Sequence, residues 1–355
     1  MFDPDRPARA PRPSLSPLRC GVLVAAALSS LTSFVGPRPA LGQEPLLEAL
    51  RARTSSEAVT LGMLLQVVGS LGLEDDPGTP DRFEVANARL SLRGRLDGGW
   101  SYFVQTAFTS SPALLDLRIA YAPAGSPVTV SVGRFKTPLS REFLTAASAI
   151  DFVDRSRVVR AFAPGRQVGA AVELTAADGW RLSTGLFSGA DQNHSASRAL
   201  GLLRLEREQM SVAGGRLSVG ASAAFGDDGA VLPRGVEGGF AGSGRIFQGD
   251  LRWTRGLWLV ASDVLSGRFD PAEPGAPTRT GRGGHITVGL PVSERSQALV
   301  RVDRIEPLGG PTSDLIVLGW NVWPTAATEV QINWLAPLDE HAGRHRLVVN
   351  VQIGF

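Results

Sequence analysis

The sequence predicts an all-β transmembrane barrel of about 16 antiparallel strands. Three observations predict this fold. A basic, apolar and then small-residue leader begins the chain, strands of alternating polarity fill the sequence from residue 61 onward, and the links between these strands are short and long in turn. Together the three features indicate a protein that is exported and then crosses a membrane through strands.

The leader has the layout of a secretory signal peptide. Four arginines at positions 6, 9, 12 and 19 precede an uncharged apolar run from Gly21 to Val35, and small residues end at Gly42. The run is shorter than the roughly 20 apolar residues that a membrane-spanning helix needs. We therefore expect residues 1–42 to be a removed signal peptide, 43–60 a short periplasmic arm and 61–355 the barrel, with an uncleaved anchor as the alternative.

Composition excludes several function classes. The formal charge of +2 is too small to indicate a nucleic-acid partner. The single cysteine, Cys20, falls within the leader, so the exported chain would have no disulfide. No phosphate-binding loop, dinucleotide fingerprint or nucleophile motif occurs, and the four histidines are scattered through loops and strand ends. We expect no catalytic residue, no cofactor and no metal.

Alternating polarity defines the strands. Residues 84–96 place apolar side chains on one face and arginines on the other, as a wall between lipid and water requires. The predicted strands are 61–70, 83–96, 100–109, 114–122, 128–135, 168–176, 180–188, 199–207, 211–224, 240–253, 257–267, 284–291, 296–306, 313–323, 327–335 and 345–355.

The links separate the strand ends into two rims. Tight turns at 97–99, 177–179, 254–256 and 324–326 alternate with longer loops rich in Gly, Pro and Asp. Six of the seven tryptophans lie beside the short turns, as in the aromatic girdles of membrane barrels. A soluble fold has no reason to sort its loops in this way, so the pattern favours a barrel in the outer membrane, in contact with its lipid.

The third loop, Lys136–Gln167, is the longest link and carries the predicted site. Its apolar residues predict a folded segment, and a loop that folds into the barrel would constrict the pore. Basic side chains at such a constriction favour anions, because guanidinium groups replace lost water with paired hydrogen bonds. The candidates for the pore constriction are Arg155, Arg157, Arg160, Arg166, Lys136 and Arg141. Anchoring of the loop to wall carboxylates is the alternative role for each of them.

Further arginines are predicted to face the lumen, because charges on the lipid face would be costly. They are Arg89, Arg93, Arg95, Arg118, Arg204, Arg252, Arg301 and Arg346, and the candidates for an ion-contacting wall are Arg89, Arg93, Arg118 and Arg301. Carboxylates two positions away could instead neutralise several of them. These carboxylates are Asp116, Glu206, Asp250 and Asp303.

Three segments of the chain resemble the phosphate-selective porin O and P family of bacterial outer-membrane porins. They are the runs 132–138 (VGRFKTP), 151–156 (DFVDRS) and 162–169 (FAPGRQVG), and a terminal Phe355 also fits. The resemblance implies a 16-stranded homotrimer with its third loop inside an arginine-lined pore for phosphate or related small anions. The chain departs from the family in having one lysine, Lys136, which puts a lysine cluster at the pore mouth in doubt.

Two alternatives remain beside an anion-selective porin. One is a general or carboxylate-preferring diffusion porin of the same architecture, which would differ only in the charges of its lumen. The other is a non-conducting barrel that serves as an adhesin or scaffold.

Overall fold

The computed structural model describes residues 58–74, 81–109, 111–188, 199–227 and 242–355. In this part of the chain sixteen strands form a closed barrel, in which each strand pairs antiparallel with the next and β16 returns to β1. The strands are β1 Thr60–Gly72, β2 Arg82–Leu96, β3 Trp100–Ala107, β4 Ala113–Tyr121, β5 Val128–Lys136, β6 Arg166–Thr175, β7 Trp180–Phe187, β8 Leu200–Val212, β9 Gly215–Asp227, β10 Gly242–Arg255, β11 Trp258–Pro271, β12 Arg279–Ser293, β13 Ser296–Glu306, β14 Ser313–Thr325, β15 Thr328–Pro337 and β16 Arg346–Gly354. The predicted fold class is confirmed. The predicted signal peptide, and nearly all of the predicted arm, lie outside the described residues.

The alternation in the sequence becomes an apolar outer face and a polar inner face. In β1, Leu65 is 41% exposed, whereas its neighbour Gln66 is 5% exposed. Because successive side chains of a strand point to opposite faces, Leu65 faces outward and Gln66 faces the enclosed space. The described helices include none that is long and apolar enough to cross a membrane.

Short and long links fall on opposite rims, as the sequence predicts. The short links are 97–99, 122–127, 176–179, 213–214, 256–257, 294–295 and 326–327. Trp100, Trp180 and Trp258 each begin a strand directly after such a link. Trp253 and Trp323 each lie two residues before the end of a strand that leads into such a link, so five of the seven tryptophans lie near one end of the barrel.

Several predicted strand boundaries differ from the structure, and β8 and β12 show how. The link between β8 and β9 lies at 213–214 and not at 208–210, because Gln209 has a positive φ of 59° and the pairing register shifts there. That bulge interrupts the alternation without ending the strand. Strand β12 spans Arg279–Ser293 instead of 284–291. Arg282 is one of the residues by which the strand exceeds the prediction. It lies on the outer face and forms a salt bridge with Glu306 at 2.8 Å.

The third loop spans residues 137–165 between β5 and β6. It contains α1 (Arg141–Leu144), a short 3₁₀ turn (Ala147–Ala149) and α2 (Arg157–Phe162). The hydroxyls of Ser140 and Ser156 cap the two helices by accepting from backbone N–H groups. The capping residues therefore fix where each helix of the loop begins.

Two apolar clusters pack the third loop against the wall. Val158, Val159 and Phe162 of α2 are buried with inward side chains such as Ile246 and Phe269. A second cluster forms around Phe152 in the loop. It includes Leu259, Leu299, Leu315 and Val317 of the wall. Because these apolar residues are removed from water, the loop has a defined position on the inner face of β8–β14.

Two glycines shape the base of this loop. Gly133 has a φ of 125°, and a Cβ built there would lie 1.9 Å from the backbone oxygen of Leu117. Gly165 has a φ of 87°, and its carbonyl accepts from the amide and the hydroxyl of Thr137 at 3.2 and 3.1 Å. Both positions therefore require a residue without a Cβ.

Candidate functional site

Polar side chains on the inner face hold the backbone of the third loop. Asn333 accepts from the amide of Val153 at 2.8 Å, and Asn321 donates to the carbonyl of Asp151 at 2.8 Å. Three glutamines donate hydrogen bonds to backbone carbonyls of the residues that precede Asp151. Gln331 donates to Ile150, Gln352 to Ser148 and Gln66 to Ala147, at 2.9, 3.1 and 3.3 Å. Residues 147–153 therefore follow the inner faces of β1 and β14–β16.

Two wall arginines add charged contacts to the loop. Arg252 donates to both carboxylate oxygens of Asp151 at 2.7 and 2.8 Å. Arg301 donates to the carbonyl of Asp154 at 3.0 Å, and its guanidinium lies 4.5 Å from the ring centre of Phe152. Paired and charge-assisted hydrogen bonds of this kind are stronger than neutral ones, so they fix the loop firmly.

Of the six residues predicted for the constriction, Lys136 and Arg141 contact protein groups at one end of the loop. The Lys136 ammonium donates to the carbonyls of Phe143 and Thr145 at 2.7 and 2.8 Å, at the C-terminal end of α1. Arg141 contacts three wall carboxylates. They are Asp250 at 3.0 Å, Glu208 at 2.8 Å and Glu206 at 3.4 Å. Both side chains therefore join the third loop to the wall, which is the anchoring role.

Arg157 and Arg166 also reach the wall. Arg157 donates to the carbonyls of Asp303 and Ser313 at 2.8 and 2.9 Å, and burial lowers the pKa of its guanidinium. Arg166, the first residue of β6, contacts Asp116 at 3.0 Å. The geometry at these two positions is again that of an anchor.

Arg155 and Arg160 line a cavity of about 690 Å³ between the loop and the wall. Arg155 also donates to the carbonyls of Glu142 and Thr145 at 2.9 and 2.7 Å, whereas Arg160 is mainly exposed and lies 3.6 Å from Asp154. The wall of the cavity comes from the inner faces of β1, β2, β15 and β16. Its polar wall residues are Gln66, Ser70, Arg82, Glu84, Asn87, Arg89, Arg346 and Asn350.

The charges of this cavity are predominantly positive. Five arginines line it and only two carboxylates do, Glu84 and Asp154. Arg89 faces the cavity, and its Nε is buried with no hydrogen-bond partner among the described residues. A buried guanidinium nitrogen without an acceptor is costly, so an oxyanion in this space would satisfy it.

The four arginines predicted for the ion-contacting wall lie in different surroundings. Arg89 lines the cavity, and Arg93 lies on the same face of β2 and is exposed. Arg118 donates to the hydroxyl of Ser131 at 3.0 and 2.8 Å, and Arg301 contacts the third loop. Of the four, only Arg89 lies in the large cavity.

A second cavity of about 390 Å³ has mixed charge. It lies on the other side of the third loop, against β4–β8. Its basic residues are Arg118, Lys136, Arg141, Arg181 and Arg204, and its carboxylates are Glu173, Glu206 and Glu208. Arg204 is almost fully buried and contacts Glu206 and Asp250 at 2.9 and 2.7 Å. The cations and carboxylates in this region therefore largely satisfy each other.

Sequence reasoning missed Arg82 and Glu84 as cavity residues, whereas Asn87 lies on the face that alternation assigns to Arg89. The bulge between Gln66 and Val67 shifts the pairing of β1 with β2, so that Arg82 and Glu84 share the inner face with Asn87. Strict alternation places residues 82 and 87 on opposite faces. Only recognition of a bulge at Ala86 would have placed Arg82 on the inner face from the sequence.

A closed 16-stranded antiparallel barrel with a folded loop on its inner wall is the architecture of outer-membrane porins. The model of the family "Phosphate-selective porin O and P" matches residues 70–229. The family resemblance carried by the sequence motifs is thereby confirmed, and the family and the fold indicate a channel.

Solved porins share this fold at low sequence identity. The anion-selective porin from Comamonas acidovorans is 13% identical with a TM-score of 0.62, over 84% of this chain and 99% of that chain. The trimer form of OmpT from Vibrio cholerae is 10% identical with a TM-score of 0.59, over 84% and 99%. OprB from Pseudomonas putida is 12% identical with a TM-score of 0.58, over 87% and 97%. A comparison with curated protein sequences finds no match.

Proposed function

We propose that this porin passes small anions by passive diffusion and prefers phosphate or a related oxyanion. The observation that carries the proposal is the charge of the large cavity, where five arginines face two carboxylates. Arginine remains charged at any physiological pH and binds oxyanions through two parallel hydrogen bonds. An anion that enters this space therefore exchanges part of its hydration shell for guanidinium contacts.

Four arginines carry the anion path in this proposal. Arg155 and Arg160 approach from the third loop, and Arg89 and Arg346 from the wall. Lys136, Arg141, Arg157 and Arg166 have a supporting role, since their contacts hold the loop against the wall. The loop then narrows the lumen and brings Arg155 close to the wall.

We also propose that the mature protein is a homotrimer that reaches the outer membrane by means of the N-terminal signal peptide. A trimer form is known for OmpT, a porin of the same fold. The order of basic, apolar and small residues in positions 1–42 supports export.

A general or carboxylate-preferring diffusion porin is the second candidate. The mixed charges of the second cavity favour its general form, because three carboxylates there reduce the positive potential. If solutes pass mainly through that side of the third loop, selectivity for anions would be weak.

The decisive experiment is the reversal potential of the purified protein in a planar lipid bilayer under a KCl gradient. We expect a potential close to that of an ideal anion conductor, and we expect added phosphate to reduce the chloride current. Cation preference or no preference would refute the anion path and leave a general diffusion porin. An absence of conductance would favour a non-conducting barrel.

Variants test which arginines act. Arg89→Gln and Arg155→Gln should each move the reversal potential toward zero and weaken block by phosphate. Arg304→Gln is the matched control, because it removes the same charge from an exposed side chain on the outer face of β13, paired with Asp314 at 3.4 Å. Equal shifts in all three variants would show that the effect is not specific to the cavity.

A further inference from the structure

Three side chains with metal-binding atoms meet where the third loop contacts β11 and β12. Nε2 of His285 lies 3.6 Å from a carboxylate oxygen of Glu142 in α1 and 3.7 Å from one of Asp263 in β11. The three donor atoms all lie within 4.8 Å of one another. His285 and Asp263 are only 5% and 4% exposed.

The imidazole of His285 points an unsatisfied nitrogen into this cluster. Its Nε2 is buried and has no hydrogen-bond partner among the described residues. Its other nitrogen, Nδ1, lies 3.2 Å from the hydroxyl of Thr287. When Nδ1 carries the proton and donates to Thr287, Nε2 presents a lone pair to the two carboxylates, which is the tautomer that a metal ligand needs.

The two carboxylates are oriented by outer hydrogen bonds. Glu142 accepts from the amide and the hydroxyl of Ser156 at 2.9 and 2.5 Å. One oxygen of Asp263 accepts from Ser140 at 2.7 Å and from Gln248 at 2.8 Å, and its other oxygen faces His285. Such outer partners are typical of metal ligands, because they fix the direction of each donor atom.

We propose that Glu142, Asp263 and His285 form a site for a divalent transition metal of the zinc type. Zinc bonds of about 2.0–2.2 Å in tetrahedral geometry place donor atoms roughly 3.3–3.5 Å apart, so small side-chain rotations would suffice here. One imidazole and two carboxylates suit zinc better than calcium or magnesium, which prefer oxygen ligands alone. A water molecule would complete the fourth position.

Charge also favours a cation at this position. With a neutral imidazole, the two carboxylates place two negative charges in a buried region. Arg301 lies 3.6 Å from the far oxygen of Glu142 and offsets part of this charge, but it also lies 3.8 Å from Asp303. A divalent ion would neutralise the remaining charge and satisfy Nε2 of His285 in one step.

A bound ion would join the third loop to the wall. Glu142 belongs to α1, whereas Asp263 and His285 belong to neighbouring strands that pair at these two residues. The site is separate from the cavity proposed for anions, whose lining does not include these three residues.

Zinc titration of the purified, chelator-treated barrel in detergent tests the site. Calorimetry and metal analysis after gel filtration should show a single zinc ion per chain, and zinc should raise the unfolding temperature in a manner that EDTA reverses. His285→Gln should abolish both effects. His341→Gln, which changes a half-exposed histidine of the 338–345 loop, is the matched control and should retain both.

If His285→Gln fails to fold, Thr287→Val replaces it, and loss of this outer partner should weaken zinc binding about 10–100-fold. Zinc that remains equally bound to His285→Gln would overturn the proposal. A wild-type chain that binds no zinc at all would also overturn it. A protonated His285 shared by the two carboxylates would then account for the cluster.

Discussion

Arg252 of β10 binds Asp151 of the third loop through two parallel hydrogen bonds of 2.7 and 2.8 Å. The guanidinium and the carboxylate meet in the fork geometry that makes such pairs both strong and directional. On either side of Asp151, Phe152 packs its ring against the wall and the carbonyl of Ile150 accepts a hydrogen bond from Gln331. This ion pair therefore sets the position of the central part of the loop.

Arg252→Gln should loosen the third loop. The variant leaves Asp151 without its charged partner in a half-buried place, and loss of a charged hydrogen bond costs about 1.5–3 kcal/mol. Single-channel recordings should show a larger mean conductance with more frequent fluctuations. Arg252→Lys keeps the charge but not the fork, so its recordings should lie between those of the wild type and Arg252→Gln. Unchanged recordings in both variants would contradict a positioning role.

Arg204→Leu should strongly destabilise the barrel. Arg204 is 1% exposed and contacts two buried carboxylates, Glu206 and Asp250. Removal of one partner of a buried ion pair costs about 3–5 kcal/mol, and here Arg141 remains as a second cation beside both carboxylates.

Urea unfolding in detergent micelles measures this loss as a lower midpoint. Asp250→Asn added to Arg204→Leu should restore part of the stability, because without Arg204 the buried charge of Asp250 has only Arg141 as a cationic partner among the described residues. Arg207→Leu, on the outer face of the same strand, serves as the control and should change the midpoint little. A double variant no more stable than Arg204→Leu would argue against the ion-pair explanation.

Gly133→Ala should disrupt the pairing of β4 with β5. A Cβ at this position would overlap the carbonyl oxygen of Leu117, and the φ of 125° is unfavourable for any residue with a Cβ. Backbone strain of this kind costs about 1–3 kcal/mol before the steric overlap is counted. We expect a reduced yield of folded barrel, measured by the heat-dependent shift in electrophoretic mobility.

Gly249→Ala is the matched control for Gly133→Ala. A Cβ at Gly249 would meet only the Val264 side chain at 3.6 Å, which is an ordinary contact. Equal folding yields for the two variants would show that neither the overlap nor the backbone conformation matters.

Asp154→Asn should increase the preference for anions. Asp154 lines the large cavity and lies 3.6 Å from Arg160. Replacing its carboxylate with a neutral amide therefore raises the positive potential in the cavity. Its backbone carbonyl, which accepts from Arg301, is unchanged. The reversal potential should move further toward that of an ideal anion conductor, whereas Asp314→Asn on the outer face should leave it in place. A shift toward cations would contradict the proposed path.

The barrel could be predicted from the sequence because membrane strands obey local rules. Each strand shows its own alternation, and each link shows its own length, so the number of strands follows from residues that are close in sequence. The errors occur where a local rule fails. At Gln209 a bulge interrupts the alternation within β8, and at Ala86 another bulge moves Arg82 to the inner face.

The role of each charged residue could not be predicted in the same way. Arg141 and Arg155 are both basic residues of the third loop and cannot be distinguished in the sequence. In the structure Arg141 contacts Glu206, Glu208 and Asp250 on distant strands, whereas Arg155 lines the large cavity. That difference depends on how the third loop is placed across the barrel, which is a long-range property. The proximity of His285 to Glu142 is similarly invisible, since the two residues are far apart in sequence.

The hydrogen bonds between β1 and β16 have a consequence for how the protein acquires its shape. Met63 and Phe355 each donate to the other's carbonyl, at 3.0 and 3.1 Å, so the first strand completes its pairing with the last one. A sheet that lacks β16 retains two unpaired edges, and an unpaired edge cannot be tolerated in a lipid environment. An open form of this sheet would leave backbone groups unsatisfied in the lipid, so we expect no stable partial form of the barrel within the membrane.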